Sequence, residues 1–434
     1  MSDEATLDEF AKSDNGTIKK TGQNWPIKKI KHHTKLISGE HVKSNKVHTD
    51  SRSEPYLTGP DDFDGFGFRV TKYTDDPTKF CESGDTLVTV KGSGCGKTAF
   101  APSRACISRQ IKALRPESTV NSLHLYYSVS SKENFLNTLS EGSAIPGLSN
   151  SHLTSLDIPV PPLPEQRKIA TVLYTVDQAI QKTEEIIDQM NTSQQGLTRT
   201  LFGKGEIRQD GKKETKIERL GPKKFKVPTA WDVTSISSIG EVVTGDTPST
   251  NNDANFGGSL PFVTPESLTQ EKYVTKTERT LSETGREDVN PIPKGSVMMG
   301  CIGNIGKIAM ANCEVATNQQ INSVVIQESE YLPEFLYYHL QVLSDFIKSQ
   351  AGQTTIPIVN KSSFESFEVF NPPIEEQREI VERLSVYDEG RRINSQYLDE
   401  LTRLKQGLIQ DLLSGTVRTT DTNIQVPDEV AQHG

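Results

Sequence analysis

The stretch from Lys91 to Thr98, KGSGCGKT, is the string most suggestive of chemistry. A glycine-rich turn ending in Gly-Lys-Thr can hold phosphates on its backbone N–H groups, provided the spacing is G-x-x-x-x-G-K-[ST]. That spacing requires a glycine at position 91, which is Lys91. Ala99-Phe100-Ala101-Pro102 is also a poor start for the helix whose N-terminus would carry the anion. A second string of the same kind, GNIGKIAM, puts Ile308 where Ser or Thr must ligate magnesium. Glycine-rich hairpins presenting Lys97 and Lys307 account better for both. Cys81, Cys95, Cys106, Cys301 and Cys313 are odd in number and form no CxxC pair. The histidines show no metal-ligand spacing, and no paired carboxylates or Ser/His/Asp set stands out. These residues predict a reduced, cytoplasmic protein without a metal site of its own.

Two further strings define an enzymatic alternative. Asp61-Asp62-Phe63-Asp64-Gly65-Phe66-Gly67 fits D-x-F-x-G-x-G, a loop that holds S-adenosylmethionine when it leaves a strand and enters a helix. Gly59-Pro60 breaks the approach, and Phe68-Arg69-Val70-Thr71 does not start a helix. Asn371-Pro372-Pro373-Ile374 is similar to a tetrapeptide whose aromatic fourth residue stacks on a flipped adenine. Ile374 cannot stack so. The alternatives are therefore an adenine-N6 DNA methyltransferase, or a scaffold with no DNA role.

The elements that would position such residues are more informative. Pro162 to Phe202 opens PLPEQR and continues as an unbroken helical pattern; Pro373 to Leu413 opens PIEEQR and repeats it 211 positions later. Ile169, Leu173, Val176, Ile180, Ile187, Met190, Leu197 and Leu201 fall alternately near four and three apart, the spacing of a coiled-coil seam. About 38 residues per helix span roughly 55 Å. Gln194 and Lys405 are polar at matching seam positions, and Arg391 and Asn394 interrupt the second seam. Between the helices a globular pattern recurs, with Trp25 answered by Trp231, Gly39 by Gly245 and Gly96-Lys97 by Gly306-Lys307. A tandem duplication follows. The expected fold is α+β, two recognition-type domains in a pseudo-symmetric repeat joined by two long antiparallel coiled-coil helices. The boundaries read as a disordered tail (1–23), a first domain (24–161), a first spacer helix (162–203), a basic linker (204–229), a second domain (230–371), a second spacer helix (372–414) and a C-terminal tail (415–434). Within the first domain, Ser122 to Leu139 reads as helical.

The net charge is −9, but it is unevenly spread. Thr17 to Arg52 carries nine Lys/Arg against two Asp/Glu, and Lys204 to Lys226 nine against four. Local basic surface of this kind suits phosphate contact. Trp231 to Asn371 carries eight against seventeen, so a second domain on DNA must present its cations on one face or borrow backbone contacts from a partner. No apolar run reaches the roughly 20 residues that span a bilayer.

The paired P-x-x-E-Q-R helices with their Gln195-Gly196-Leu197 and Gln406-Gly407-Leu408 endings, the duplicated G-x-x-G-K hairpins and Gly245-Asp246-Thr247-Pro248 together resemble the specificity subunit of type I restriction-modification systems. The resemblance covers residues 24–418. It implies that each domain reads one half of a split, asymmetric site in double-stranded DNA and that the helices set the unread spacer. It also implies that two methyltransferase subunits dock on the helices and that restriction subunits join them. S-adenosylmethionine, ATP and magnesium would reside on those partners, so the chain has no cofactor and no catalysis of its own. Hairpins and turns then supply the DNA contacts: Lys91, Ser93, Lys97, Arg104, Arg109 and Gln110 in the first domain, and Thr247, Ser249, Thr250, Asn304, Lys307, Asn318, Gln319 and Gln320 in the second. Arg, Asn and Gln can pair with base edges; Lys, Ser and Thr can hold phosphates. Partner docking falls to Glu165, Gln166, Arg167, Glu376, Gln377 and Arg378.

Overall fold

The computed structural model describes residues 25–92, 94–140, 147–204, 214–269, 271–327, 330–351 and 357–432. The tail expected over 1–23, Ser93 and most of the first half of the basic linker lie outside the described residues. The chain forms two compact units, one of residues 1–184 with 397–434 and one of residues 185–396.

In the first unit, strands β1 (Thr34–Ser38), β2 (Glu54–Leu57), β3 (Thr86–Thr89), β4 (Thr98–Phe100), β5 (Ala105–Ile107) and β6 (Ile111–Pro116) build two sheets. One sheet is ordered β4-β3-β6-β1, all antiparallel; the other includes β2 and β5 side by side and parallel. All four residues of β3 are buried, in keeping with a β-branched, apolar run shielded on both faces. The helical stretch after β6 is two helices, α1 (Ser122–Ser130) and α2 (Glu133–Ser140), broken at Ser131-Lys132. Asn121 caps α1 by accepting from the His124 N–H at 3.0 Å. The long helix α3 (Leu163–Lys204) follows.

The second unit repeats this plan. It begins with an antiparallel hairpin of β7 (Thr215–Leu220) and β8 (Lys223–Pro228), turned at Gly221-Pro222. The stretch expected to be a basic linker is therefore partly structure: Leu220, Phe225 and Val227 enter the core while the lysines face out. Strands β9 (Gly240–Thr244), β10 (Phe256–Val263), β11 (Val297–Gly300), β12 (Ile308–Ala311), β13 (Ala316–Thr317) and β14 (Ile321–Ile326) reproduce the order of the first unit, with β10 and β13 parallel. Helix α4 (Pro333–Ser349) packs behind them, and α5 (Ile374–Ser414) is the second long helix.

Each unit contains a segment of both long helices, running antiparallel. In the first, Ile169, Ala170 and Leu173 share a core with Leu412 and Leu413. In the second, Leu201 and Phe202 share one with Ile380 and Leu384. The polar seam residues have a physical role. Lys405 reaches Asp177 at 2.5 Å, and at the matching place Gln194 donates to Asp388 at 2.8 Å. Each aspartate also accepts a tyrosine hydroxyl from its own domain, Tyr127 on Asp177 and Tyr338 on Asp388. Burial, then the aspartate charge, pushes both phenols well above their ordinary range. Arg391, which replaces the apolar Ile180, bonds Asp388 and donates to Asn191 Oδ1 at 2.8 Å. A buried carboxylate with several donors is tolerable where one with none would be costly.

The C-terminal stretch is docked as well. Thr419 donates through N–H and hydroxyl to Glu165, and Lys168 Nζ donates to the carbonyls of Thr419, Thr420 and Thr422. Val430 is fully buried, and the Arg418 guanidinium stacks 3.4 Å from the Trp25 ring.

Candidate nucleic-acid interface

The strings weighed for enzymatic chemistry take non-enzymatic shapes. Residues 90–92 and 94–97 lie between β3 and β4, with Gly92 and Gly96 at positive φ, and β4, not a helix, follows. Gly303 and Gly306 do the same between β11 and β12. A positive φ explains why glycine recurs at the Gly-Lys step. Residues 60–68 form one helical turn and a two-residue-strand hairpin, and Ile374 is the first residue of α5.

In each unit, four loops are drawn to one rim by matching backbone bonds. In the first, Val90 N donates to Gln110 O at 2.7 Å, Gly39 N to Ile111 O at 3.1 Å and Ser108 N to Leu57 O at 3.0 Å. In the second, Cys301 N donates to Gln320 O at 2.7 Å, Gly245 N to Ile321 O at 3.1 Å and Asn318 N to Val263 O at 3.1 Å. The hairpin, the turn before the last strand, the loop after the first strand and the loop after the parallel strand thus converge. Gly39 and Gly245 are required at the crossing, because a Cβ would overlap the carbonyl oxygens of Ser108 and Thr317.

This convergence gathers most of the expected DNA-contact residues. Lys91, Lys97, Arg109 and Gln110 are exposed on the first rim. Thr247, Ser249, Thr250, Asn304, Lys307 and Gln319 are exposed on the second. Thr247 donates to Gln319, so those side chains already form a joint polar edge, and Lys307 Nζ leans on Pro265 O at 3.3 Å. Two expectations shift. Arg104 sits at the opposite end of β5 from the rim, stacked 3.7 Å from the Phe80 ring and within 3.7 Å of Glu54 and 3.6 Å of Glu82. Asn318 is buried and donates to Gln320 Oε1 at 3.0 Å, so it shapes the turn rather than offering an edge. Ser93 lies outside the described residues. The reading also missed Lys43, exposed on the loop after Gly39; the 206-residue offset to Ser249 was the available signal.

The rims differ chemically. Lys91, Lys97, Arg109 and Lys43 give the first four cations, whereas Cys301, Lys307, Gln319 and Ser249 at the equivalent places give the second one. The first is suited to phosphates, the second to base edges through amides and hydroxyls.

The six residues expected to dock partners mostly face inward. Gln166 accepts from Asn121 N at 2.8 Å and donates to the carbonyls of Pro161 and Thr119. Gln377 accepts from Leu332 N at 2.8 Å and donates to Pro372 O at 2.9 Å and Glu330 O at 3.0 Å. Glu165 is buried against Thr419, and Glu376 accepts the Trp231 indole N–H at 2.8 Å. Arg167 is half-buried; Arg378 is exposed, 2.9 Å from Glu375. The glutamines clamp each long helix to its own domain by satisfying backbone groups at the helix entrance, which accounts for the repeated P-x-x-E-Q-R without any partner.

Comparison with known proteins gives a consistent result. The family described as Type I restriction modification DNA specificity domain matches residues 4–192 and 228–403. The chain is similar to the MjaVIII specificity subunit of Methanocaldococcus jannaschii, 24% identical over 423 residues, covering 92% of this chain and 95% of that one. It is also similar to the HindI specificity subunit of Haemophilus influenzae, 30% identical over 196 residues, 44% of this chain and 42% of that one. Among solved structures, the type I restriction-modification S subunit from M. genitalium superposes with a TM-score of 0.61 at 16% identity, covering 92% of this chain and 97% of that one.

Proposed function

The chain belongs to the type I restriction-modification DNA specificity family, and we propose that its two rims each read one half of a split DNA site while the paired helices set the unread spacer. The observation that carries this is the same four-loop rim built twice, with different side chains on each. A duplicated enzyme would repeat its reactive groups. A two-part reader needs the same frame with unlike faces. The cationic first rim binds chiefly through phosphates. The amide-rich second rim, Asn304, Gln319, Thr247 and neighbours, reads edges and borrows backbone affinity from partner subunits.

The partners are two methyltransferase subunits seated on the outward faces of α3 and α5, with restriction subunits joining that complex. S-adenosylmethionine, ATP and magnesium stay with those partners, and the chain itself contributes no bond-making step. Its place of action is the cytoplasm.

The test is methylome sequencing of cells with and without the gene, then with a heptad inserted into both α3 and α5. Seven residues add about 10 Å, or about three base pairs. A split motif should disappear with the gene and return with unchanged halves and a longer gap. Altered halves after the insertion would overturn the assignment. Tight calorimetric binding of S-adenosylmethionine or ATP to the chain alone would overturn the non-catalytic reading.

A further inference from the structure

One place in the two units is framed by the same backbone bond and filled differently. In the first unit Phe100 N, on β4, donates to Phe66 O at 2.9 Å; in the second Met310 N, on β12, donates to Lys272 O at 2.7 Å. Phe66 and Lys272 are therefore counterparts, each set against two adjacent tyrosines, Tyr126-Tyr127 and Tyr337-Tyr338. In the first unit rings fill the space. Phe66 stacks on Phe100 at 5.1 Å and meets Tyr126 at 5.1 Å and Tyr174 at 5.7 Å edge-on. In the second unit Ser385, three residues before Asp388 as Tyr174 is before Asp177, replaces the Tyr174 ring. With a serine and a lysine in place of two rings, a cavity of about 450 Å³ opens, walled in part by Ile187, Lys272, Tyr273 and Ser385. That is the size of a small-molecule site.

The charge differs as well. Among the described residues Asp177 meets one cation, Lys405, whereas Asp388 meets two, Arg391 and, at 4.0 Å, Lys272. The Lys272 ammonium is buried, donates to Tyr338 Oη at 3.3 Å and lies 4.9 Å from that ring. Burial outweighs the opposing Asp388 and Glu334 charges and lowers its pKa. The other charges on the wall are engaged or solvated: Arg392 pairs with Glu389, and Glu271 is exposed. A buried cation in excess is costly until an anion meets it, and an aromatic wall favours a flat ring.

We propose that this cavity of the second unit binds a small aromatic carboxylate, its ring taking the space that Phe66 and Tyr174 fill in the first unit and its carboxylate meeting Lys272. This holds whatever the rims bind.

Calorimetric titration of the full chain with cinnamate tests it, beside two analogues. Cinnamyl alcohol keeps the ring and loses the charge; cyclohexanepropionate keeps the charge and loses the aromatic ring. The proposal expects a single site that holds cinnamate at least about tenfold more tightly than either analogue. Lys272→Met, which removes the cation, and Ser385→Tyr, which restores the ring of the first unit, should each weaken cinnamate by at least about tenfold. Far-ultraviolet dichroism should be unchanged in the Ser385→Tyr variant, which leaves the buried charges in place and decides the matter should Lys272→Met unfold. No cinnamate binding at millimolar concentration, equal affinity for the alcohol, or binding undiminished in Ser385→Tyr overturns the proposal.

Discussion

Replacing Gln377 separates a structural role for the P-x-x-E-Q-R motif from a docking role. Its fully buried amide satisfies the Leu332 N–H and the carbonyls of Pro372 and Glu330, at 2.8, 2.9 and 3.0 Å. Gln377→Ala strands three backbone groups, that of Pro372 buried and those of Leu332 and Glu330 part-buried. Each stranded group costs about 1–3 kcal/mol, part of it recovered if water enters the space, so a net loss of about 3 kcal/mol is expected. Gln377→Glu should be at least as damaging at neutral pH, because it keeps the acceptor but turns a carboxylate oxygen toward two carbonyls. The chain has two tryptophans, Trp25 in the first unit and Trp231 in the second. In a Trp25→Phe background, urea unfolding followed by Trp231 fluorescence therefore reports the affected unit. A loss below about 1 kcal/mol, together with weakened methyltransferase binding, would refute the clamp and restore the motif to the docking surface.

Other outcomes follow from the same geometry. Lys91→Gln and Lys97→Gln should each weaken DNA binding at every sequence and lower the salt slope by about 1, whereas Asn304→Ala or Gln319→Ala should relax the methylated motif in one half only; fluorescence anisotropy and methylome sequencing read the two effects. Gly245→Ala forces a methyl into the Thr317 carbonyl and should cost about 2–3 kcal/mol, visible as a lowered urea midpoint. His124 and His339 are fully buried, and burial lowers their pKa from 6.5 to about 4 and about 3. Both are neutral in the fold and charge more readily unfolded. Their stability contribution is therefore present above pH 6.5 and lost as pH falls toward 4 and 3. Unfolding at pH 5 against pH 7 should show about 2 kcal/mol lost per histidine, diminished in a His339→Gln variant.

The duplication, the two long helices and most rim residues were legible because each is a local pattern stated twice. What escaped depends on contacts distant in sequence. Gln194 and Lys405 looked like seam defects until each met an aspartate of the other helix. The β7–β8 hairpin hid among lysines, although Phe225 and Val227 alternate and Gly221-Pro222 marks a turn. The C-terminal stretch reads as polar chain because its anchor, Glu165, lies 254 residues upstream of Thr419. The glutamines of P-x-x-E-Q-R carry no label saying inward or outward; only burial decides.

The division of the chain has a consequence for how it is made. Residues 185–396 form one unit without interruption, while the other closes residues up to 184 with those from 397 onward. On a ribosome adding about 5–20 residues per second, the earlier-born unit must wait about 10–45 seconds for its missing piece. During that interval Ile169, Leu173 and the Trp25 indole lack Leu412 and Leu413, their eventual neighbours. The part translated first is the part finished last, and a premature stop beyond Gln396 would leave the second unit whole but the first open.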